Sequence, residues 1–247
     1  MGVLLVTGGS RGIGAAIATM AAKKGYDVCV NYARARGRAD DVAAAVRAEG
    51  RRALVVQADV SREEDIVAMF RAVDGELGPI DALVNNAGID YERLVADVER
   101  SDVERVFGVN VIGLILCCRE AVRRMSRDHG GRGGTIVNVS SVAARTGGLP
   151  QDAVYTASKG AVDAFTRALS NEVAGQGVRA CAVRPGLTLT EIFEGTLGQE
   201  GASDLARRAV PMGRIGRPEE IAAMVLWLCS PEASYVTGFT YDVSGGR

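Results

Sequence analysis

With a single histidine, His129, the chain must draw on other side chains for proton transfer near neutral pH. In "YTASKG", Tyr155 and Lys159 stand four residues apart and on a helix share one face. A phenol with its ordinary pKa of about 10 is a poor base at neutral pH, but an adjacent ammonium favours the phenolate and is expected to lower that value. Such a pair can take a proton from an alcohol as hydride leaves, or give one to a carbonyl oxygen as hydride arrives. Ser141 follows "GTIVNVS" at the end of a strand-like run, where its hydroxyl can hold the reacting oxygen. Ser140 takes that place if the register slips by one. Taken alone, Tyr155 and Lys159 also fit a half-exposed aromatic and a solvated lysine on any helix; the rest of the chain decides between the readings.

A second constellation is "VTGGSRGIG", where Gly8, Gly12 and Gly14 join a first strand to a first helix around Ser10, Arg11 and Ile13. Glycines let a backbone approach a pyrophosphate, and the free N–H groups and positive dipole end of the helix face the anion. The carboxylate that commonly selects NAD stands at the end of the second strand; here Asn31, Tyr32 and Ala33 occupy that place. Arg11 and Arg34 offer two guanidinium groups able to fork onto a phosphate. NADP(H) is therefore the preferred cofactor, with NAD(H) as the alternative. Two solvated surface arginines are the competing reading.

To position these groups the chain offers short β-branched runs alternating with alanine-rich helical patterns. "VLLVT", "DVCVNY", "ALVVQ", "ALVNN", "GTIVNVS", "VRACAV" and "FTYDV" read as strands. Helices are expected after Gly12 and over 38–49, 62–74, 102–125, 152–174 and 218–228. Apolar strands separated by helices imply an α/β, doubly wound Rossmann-type fold, a seven-stranded parallel sheet covered on both faces. No linker or repeat divides residues 1–247, so one domain is expected, with a substrate-loop insertion at about 187–211. The 47% apolar content supports a packed core, and a net charge of -1 with interspersed signs argues against nucleic-acid or anionic-membrane partners. The N-terminus lacks the pattern of a signal peptide or membrane span. Five cysteines without CxxC spacing read as buried free thiols in a reducing, cytoplasmic setting, and no metal site is expected.

These residues together resemble the short-chain dehydrogenase/reductase family, in its single-domain branch. The resemblance runs from about Val3 to Gly246 and includes "ADV" at Ala58 to Val60, "NNAG" at Asn85 to Gly88, "VNVIG" around Asn110, "RPG" at Arg184 to Gly186, "RPEEIA" from Arg217 and "YVTG" from Tyr235. It implies that Asp59 and Val60 hold the adenine, that Asn86, Ala87 and Gly88 pack against the cofactor, and that Lys159 also binds the nicotinamide ribose. It implies further that Asn110 supports a water-linked proton relay to Lys159. Pro185, Gly186 and the backbone near Thr188 should reach the carboxamide, and Thr190 the pyrophosphate. Each has a structural alternative: Asp59 as a helix cap, Asn85 and Asn86 as turn formers, Asn110 as a helix kink made through a backbone carbonyl.

Two departures stand out: Ser244 where the family usually has an acid, and the charged "IDYERLVADVE" after Gly88. Glu191, Phe193, Glu194, Gln199 and the "DYERL" segment are expected to line a substrate pocket. The expected activity is an NADP(H)-dependent oxidoreductase acting on a small carbonyl compound or secondary alcohol. A non-catalytic NADP-binding sensor or scaffold is the alternative, and cofactor-assisted isomerisation or dehydration a third reading. The resemblance also implies a homotetramer.

Overall fold

The computed structural model describes residues 2–190, 201 and 204–247. Its strands are β1 (Val3–Val6), β2 (Asp27–Tyr32), β3 (Ala53–Gln57), β4 (Ala82–Asn85), β5 (Gly134–Val139), β6 (Val178–Pro185) and β7 (Thr240–Val243). They form one seven-stranded sheet in the order β3-β2-β1-β4-β5-β6-β7, and every neighbouring pair is parallel. The helices are α1 (Gly12–Lys23), α2 (Arg36–Ala48), α3 (Glu63–Glu76), α4 (Arg100–Phe107), α5 (Leu114–Met125), α6 (Ala143–Thr146), α7 (Ala153–Val173) and α8 (Pro218–Cys229).

Successive side chains of a strand point to opposite faces, and β1 shows the result. Leu4 and Val6 pack with Ile17 of α1, Val42 of α2 and Ile221 of α8. Val3 and Leu5 pack with Phe70 of α3, Cys117 of α5 and Val162 of α7. Strands apolar on both faces are therefore sandwiched between two helical layers. All five cysteines are buried in this core as free thiols, and the apolar surroundings push the Cys29 thiol far up, away from ionisation.

The helix expected over 102–125 runs without a break from Arg100 to Met125, but its winding changes in the middle. Between α4 and α5 the chain runs through a π-helical segment, Gly108–Gly113, whose wider turn carries Asn110 into the interior. Hydrophobic spacing does not register one extra residue in a turn, and the side-chain bonds of Asn110 described below hold it.

Chain order reverses direction across the sheet between β1 and β4. The crevice outside the carboxyl ends of the strands at such a switch point is where open α/β sheets receive ligands. The segments that follow β1, β2, β3, β4, β5 and β6 at this edge contain the glycine loop, Arg34, Asp59, the Asn86–Gly88 run, Ser141 and Gly186–Thr190.

Candidate active site

The glycine loop is shaped by close contacts. Gly8 adopts φ 62°, a region costly for a residue with a side chain. At Gly14 a Cβ would stand 2.3 Å from the Gly8 carbonyl oxygen and 2.6 Å from Asn86 Nδ2, so α1 meets the loop only through a glycine. Asn86 Nδ2 donates to the carbonyls of Thr7 and Gly8 at 3.0 Å each. In return, the N–H groups of Asn86 and Ala87 donate to Thr7 Oγ1 at 3.0 Å. Thr7 thus locks the β1 loop to the β4 loop. Sequence reasoning passed it over although it opens the motif.

Arg11 stands extended at the start of α1 without capping the helix through its side chain, and the first turn holds no acid. The positive end of the helix dipole is left for an anion. Ser10 and Ile13 are half-buried in the loop, and Ile13 packs on the core. Thr190 lies above it: a Cβ at Gly12 would come within 3.3 Å of Thr190 Cγ2. These features fit a bound pyrophosphate. Arg11 and Arg34 are both exposed at this edge.

Asn31, expected among the cofactor contacts, is turned inward. Its Oδ1 accepts from Gly8 N at 3.1 Å and its Nδ2 donates to Ala58 O at 3.0 Å and Val56 O at 3.3 Å. The residue is buried with both ends of its amide bonded to protein, so its side chain shapes the loop. Asp59 does not cap α3, which starts at Glu63. Its Oδ1 accepts from Ser61 N and Oγ, which fixes the turn where Val60 is buried and its carbonyl meets Gly113 of the π segment.

The proton-handling groups gather around α7. Lys159 Nζ lies 5.7 Å from the centre of the Tyr155 ring and donates to Val139 O at the end of β5 at 2.9 Å. A Cβ at Gly88 would stand 3.4 Å from both Lys159 Nζ and Asn110 Oδ1, so the two meet at one point of the β4 loop. Asn110 is held on both sides: Oδ1 accepts from Ile89 N at 2.8 Å and Nδ2 donates to Ile89 O at 2.9 Å. The same Nδ2 reaches Ser158 Oγ at 3.1 Å, and Ser158 donates to Tyr155 O at 2.6 Å. Ser158 was not singled out from the sequence, because a serine inside a helix looks like any other. The two serines after β5 separate cleanly. Ser141 lies by the Tyr155 hydroxyl and favours its phenolate, with its Oγ also accepting from Ala143 N at 3.1 Å, while Ser140 is buried and donates to Lys159 O at 3.1 Å.

One electrostatic expectation is overturned. Burial outweighs any help to the phenolate, and Tyr155 is pushed up to about 12; Ser141 pulls the other way, and Asp90 and Asp152 add to the rise. Part of the Tyr155 surface meets solvent, yet the ring is sunk deeply enough for desolvation to dominate. Lys159, fully enclosed, is lowered to about 8 by the same cause, against the opposing pull of Asp163 and then Asp90. The ammonium is thus the more labile proton of the pair.

Asp90 belongs to the charged stretch after Gly88, which forms one rim. Tyr91 is buried and donates to Asp102 Oδ2 at 2.8 Å. Arg93 N donates to Gln151 O at 2.9 Å, joining this rim to the loop before α7; Gln151 alone among the described non-glycine residues has a positive φ, 80°. Opposite, Pro185 is buried at the end of β6. Gly186 N donates to Val243 O at 3.0 Å, with Ser244 so close that a Cβ at Gly186 would meet Ser244 Cα at 2.7 Å. Small Ser244 suits that contact. Thr188 Oγ1 donates to Gly186 O at 3.0 Å, and the strand-like pairing of Thr188 with Gly216 holds this arm in place. Of the expected 187–211 insertion, Glu191, Phe193, Glu194 and Gln199 lie outside the described residues.

A parallel sheet with its switch point arranged in this way defines a Rossmann-type, dinucleotide-binding class of fold. Comparison with known proteins narrows the class. Residues 8–247 match the family model described as enoyl-(acyl carrier protein) reductase. An uncharacterized oxidoreductase of Escherichia coli (strain K12), YgfF, is 48% identical over all of both chains. A 3-oxoacyl-[acyl-carrier-protein] reductase of Synechocystis is 38% identical over 99% of this chain and 96% of its own. Among solved structures, a short-chain dehydrogenase from Burkholderia cenocepacia in complex with NADP superposes with a TM-score of 0.91 at 33% identity, over 98% of this chain and 96% of that one. The chain belongs to the short-chain dehydrogenase/reductase family.

Proposed function

We propose that the protein transfers hydride between NADP(H) and a carbonyl compound or secondary alcohol. The observation that carries this reading is the Tyr155 ring with the buried Lys159 amine 5.7 Å from its centre and Ser141 favouring its phenolate, at the carboxyl edge and beside the glycine loop. When bound, the cofactor supplies or accepts hydride at the nicotinamide C4. The protein does the rest. Ser10, Gly12, Ile13 and Gly14 receive the pyrophosphate on backbone N–H groups, with Gly8 turning the loop toward it and Thr190 above them. Asp59 and Val60 meet the adenine, Ala87 and Gly88 floor the crevice, and Pro185 to Thr188 meet the carboxamide. Ser141 orients the substrate oxygen, and Tyr155 gives its proton to that oxygen in reduction or takes it in oxidation. Lys159 holds a positive charge under the phenol, which offsets the burial of the developing phenolate, and Asn110 supports resupply of the proton.

NADP is the cofactor this reading prefers, since Arg11 and Arg34 are exposed beside the crevice and no carboxylate occupies the end of β2. The complex of the Burkholderia relative with NADP supports the same choice. Replacing both by alanine (Arg11→Ala with Arg34→Ala) is expected to reduce the NADPH-over-NADH ratio of kcat/KM by roughly 100-fold, as the loss of two charge-assisted contacts implies. Steady-state kinetics against a panel of oxoacyl thioesters, sugar ketones and aryl ketones measures it. An unchanged ratio rejects the phosphate site.

A further inference from the structure

We propose that Asp163 is a positioning residue that keeps Lys159 in its ammonium form, with Arg184 fixing the carboxylate in place. This rests on the hydride-transfer reading only for its consequence in turnover. Asp163 follows Lys159 by four residues on α7, which puts the two side chains one above the other on the same face. Arg184, on β6, binds a single oxygen of that carboxylate: its Nε and Nη2 both lie 2.8 Å from Oδ2. Oδ1 is buried and has no hydrogen-bond partner. A carboxylate pinned by one oxygen and bare at the other carries negative charge into the interior, one helical turn from a buried amine.

The surrounding charges support this. Asp163 is foremost among the groups that raise the Lys159 pKa, ahead of Asp90 on the rim after β4. Tyr155 faces Lys159 from the preceding turn of α7 and is neutral, being pushed up to about 12. Behind Asp163, Arg184 Nη1 also reaches Asp242 of β7 at 3.3 Å, and Arg145 of α6 binds Asp242 Oδ2 at 2.8 Å. Asp242 is thus held by two arginines, and Asp163 is the member of this outer chain nearest in sequence to the amine. Its role is to oppose the desolvation that would otherwise strip Lys159 of its proton near neutral pH.

The chain makes the test simple, because Lys23, Lys24 and Lys159 are its three lysines, and the first two are exposed and serve as internal references. Protein labelled with 13C at the lysine ε-carbon is titrated by NMR. Wild type should show one lysine with a midpoint well below the other two. In Asp163→Asn that midpoint should fall by about one pH unit or more while the references stay put, and the alkaline limb of the pH–rate profile should move with it. Asp163→Glu should restore part of the shift. Asp163→Ser, neutral and smaller, gives the same readout if the asparagine variant folds poorly. A Lys159 midpoint that does not move in a folded neutral variant overturns the proposal. The titration needs no turnover, so it stands apart from the hydride-transfer reading: a variant lacking the Tyr155 hydroxyl that still turned over would reject that reading alone.

Discussion

Lys159 loses its proton before Tyr155 does, and the sign of the pH dependence follows from that order. Its folded pKa is lowered to about 8, so the ammonium is present below that value and lost as pH rises through it. Tyr155, raised to about 12, keeps its proton throughout. Carbonyl reduction should therefore run at a level rate through neutral pH and fall on the alkaline side near pH 8, measured as kcat/KM at saturating NADPH. A profile that stays level to pH 10 would contradict the role given to Lys159. At this scale the sequence was informative about residue types and less so about their surroundings. Tyr155, Lys159 and Ser141 were legible from spacing, because a helix period and a strand end fix which side chains can meet, whereas Asn110 entered only through the family resemblance. The direction of the tyrosine shift was not legible, since it depends on how deeply the ring sinks. The direction of the Asn31 side chain was hidden for a related reason: an amide at the end of a strand can face outward or into the interior, and only the carbonyls of Val56 and Ala58 decide. Thr7, Ser158 and Asp163 bond to partners remote in the chain or carry charge onto a neighbour, and no local pattern marks them.

The elements themselves were largely visible in advance. Strand positions followed from β-branched runs bounded by turn residues, and each lies within a residue or two of its expected ends. Those small differences matter at the carboxyl edge: Thr7, Asn86 and Ser140, read as strand residues, lie just beyond β1, β4 and β5, where their side chains and N–H groups tie one loop to the next. The π turn inside the helix over 102–125 was the clear miss. A π-helical turn is a local insertion held by tertiary bonds, here the double bond of Asn110 to Ile89, so its cause lies in the β4 loop and not in the helix sequence. The bonds that hold the π turn are also those that bring Asn110 against Lys159.

For the molecule as a whole, the alternation of strands and helices was enough to specify a parallel sheet with two cores, because each strand had to bury both faces. Among the described residues no helix is long and apolar enough to cross a membrane. The surface retains apolar groups that one chain does not cover: Phe239 and Tyr235 beside the edge strand β7, and Ile112 in the π-helical segment. We propose that these lie in the interfaces of a homotetramer, as the family resemblance implies. Light scattering should give a mass of four chains, and Phe239→Glu should reduce it to two; a monomeric wild type would contradict this. The central claim, that a buried phenol exchanges its proton with a substrate oxygen during hydride transfer, is tested most directly by Tyr155→Phe. Measured with NADPH against the carbonyl panel that wild type turns over, this variant should bind cofactor within a few-fold of wild type and lose roughly 100-fold or more of kcat. Near-normal turnover with cofactor bound would contradict the account.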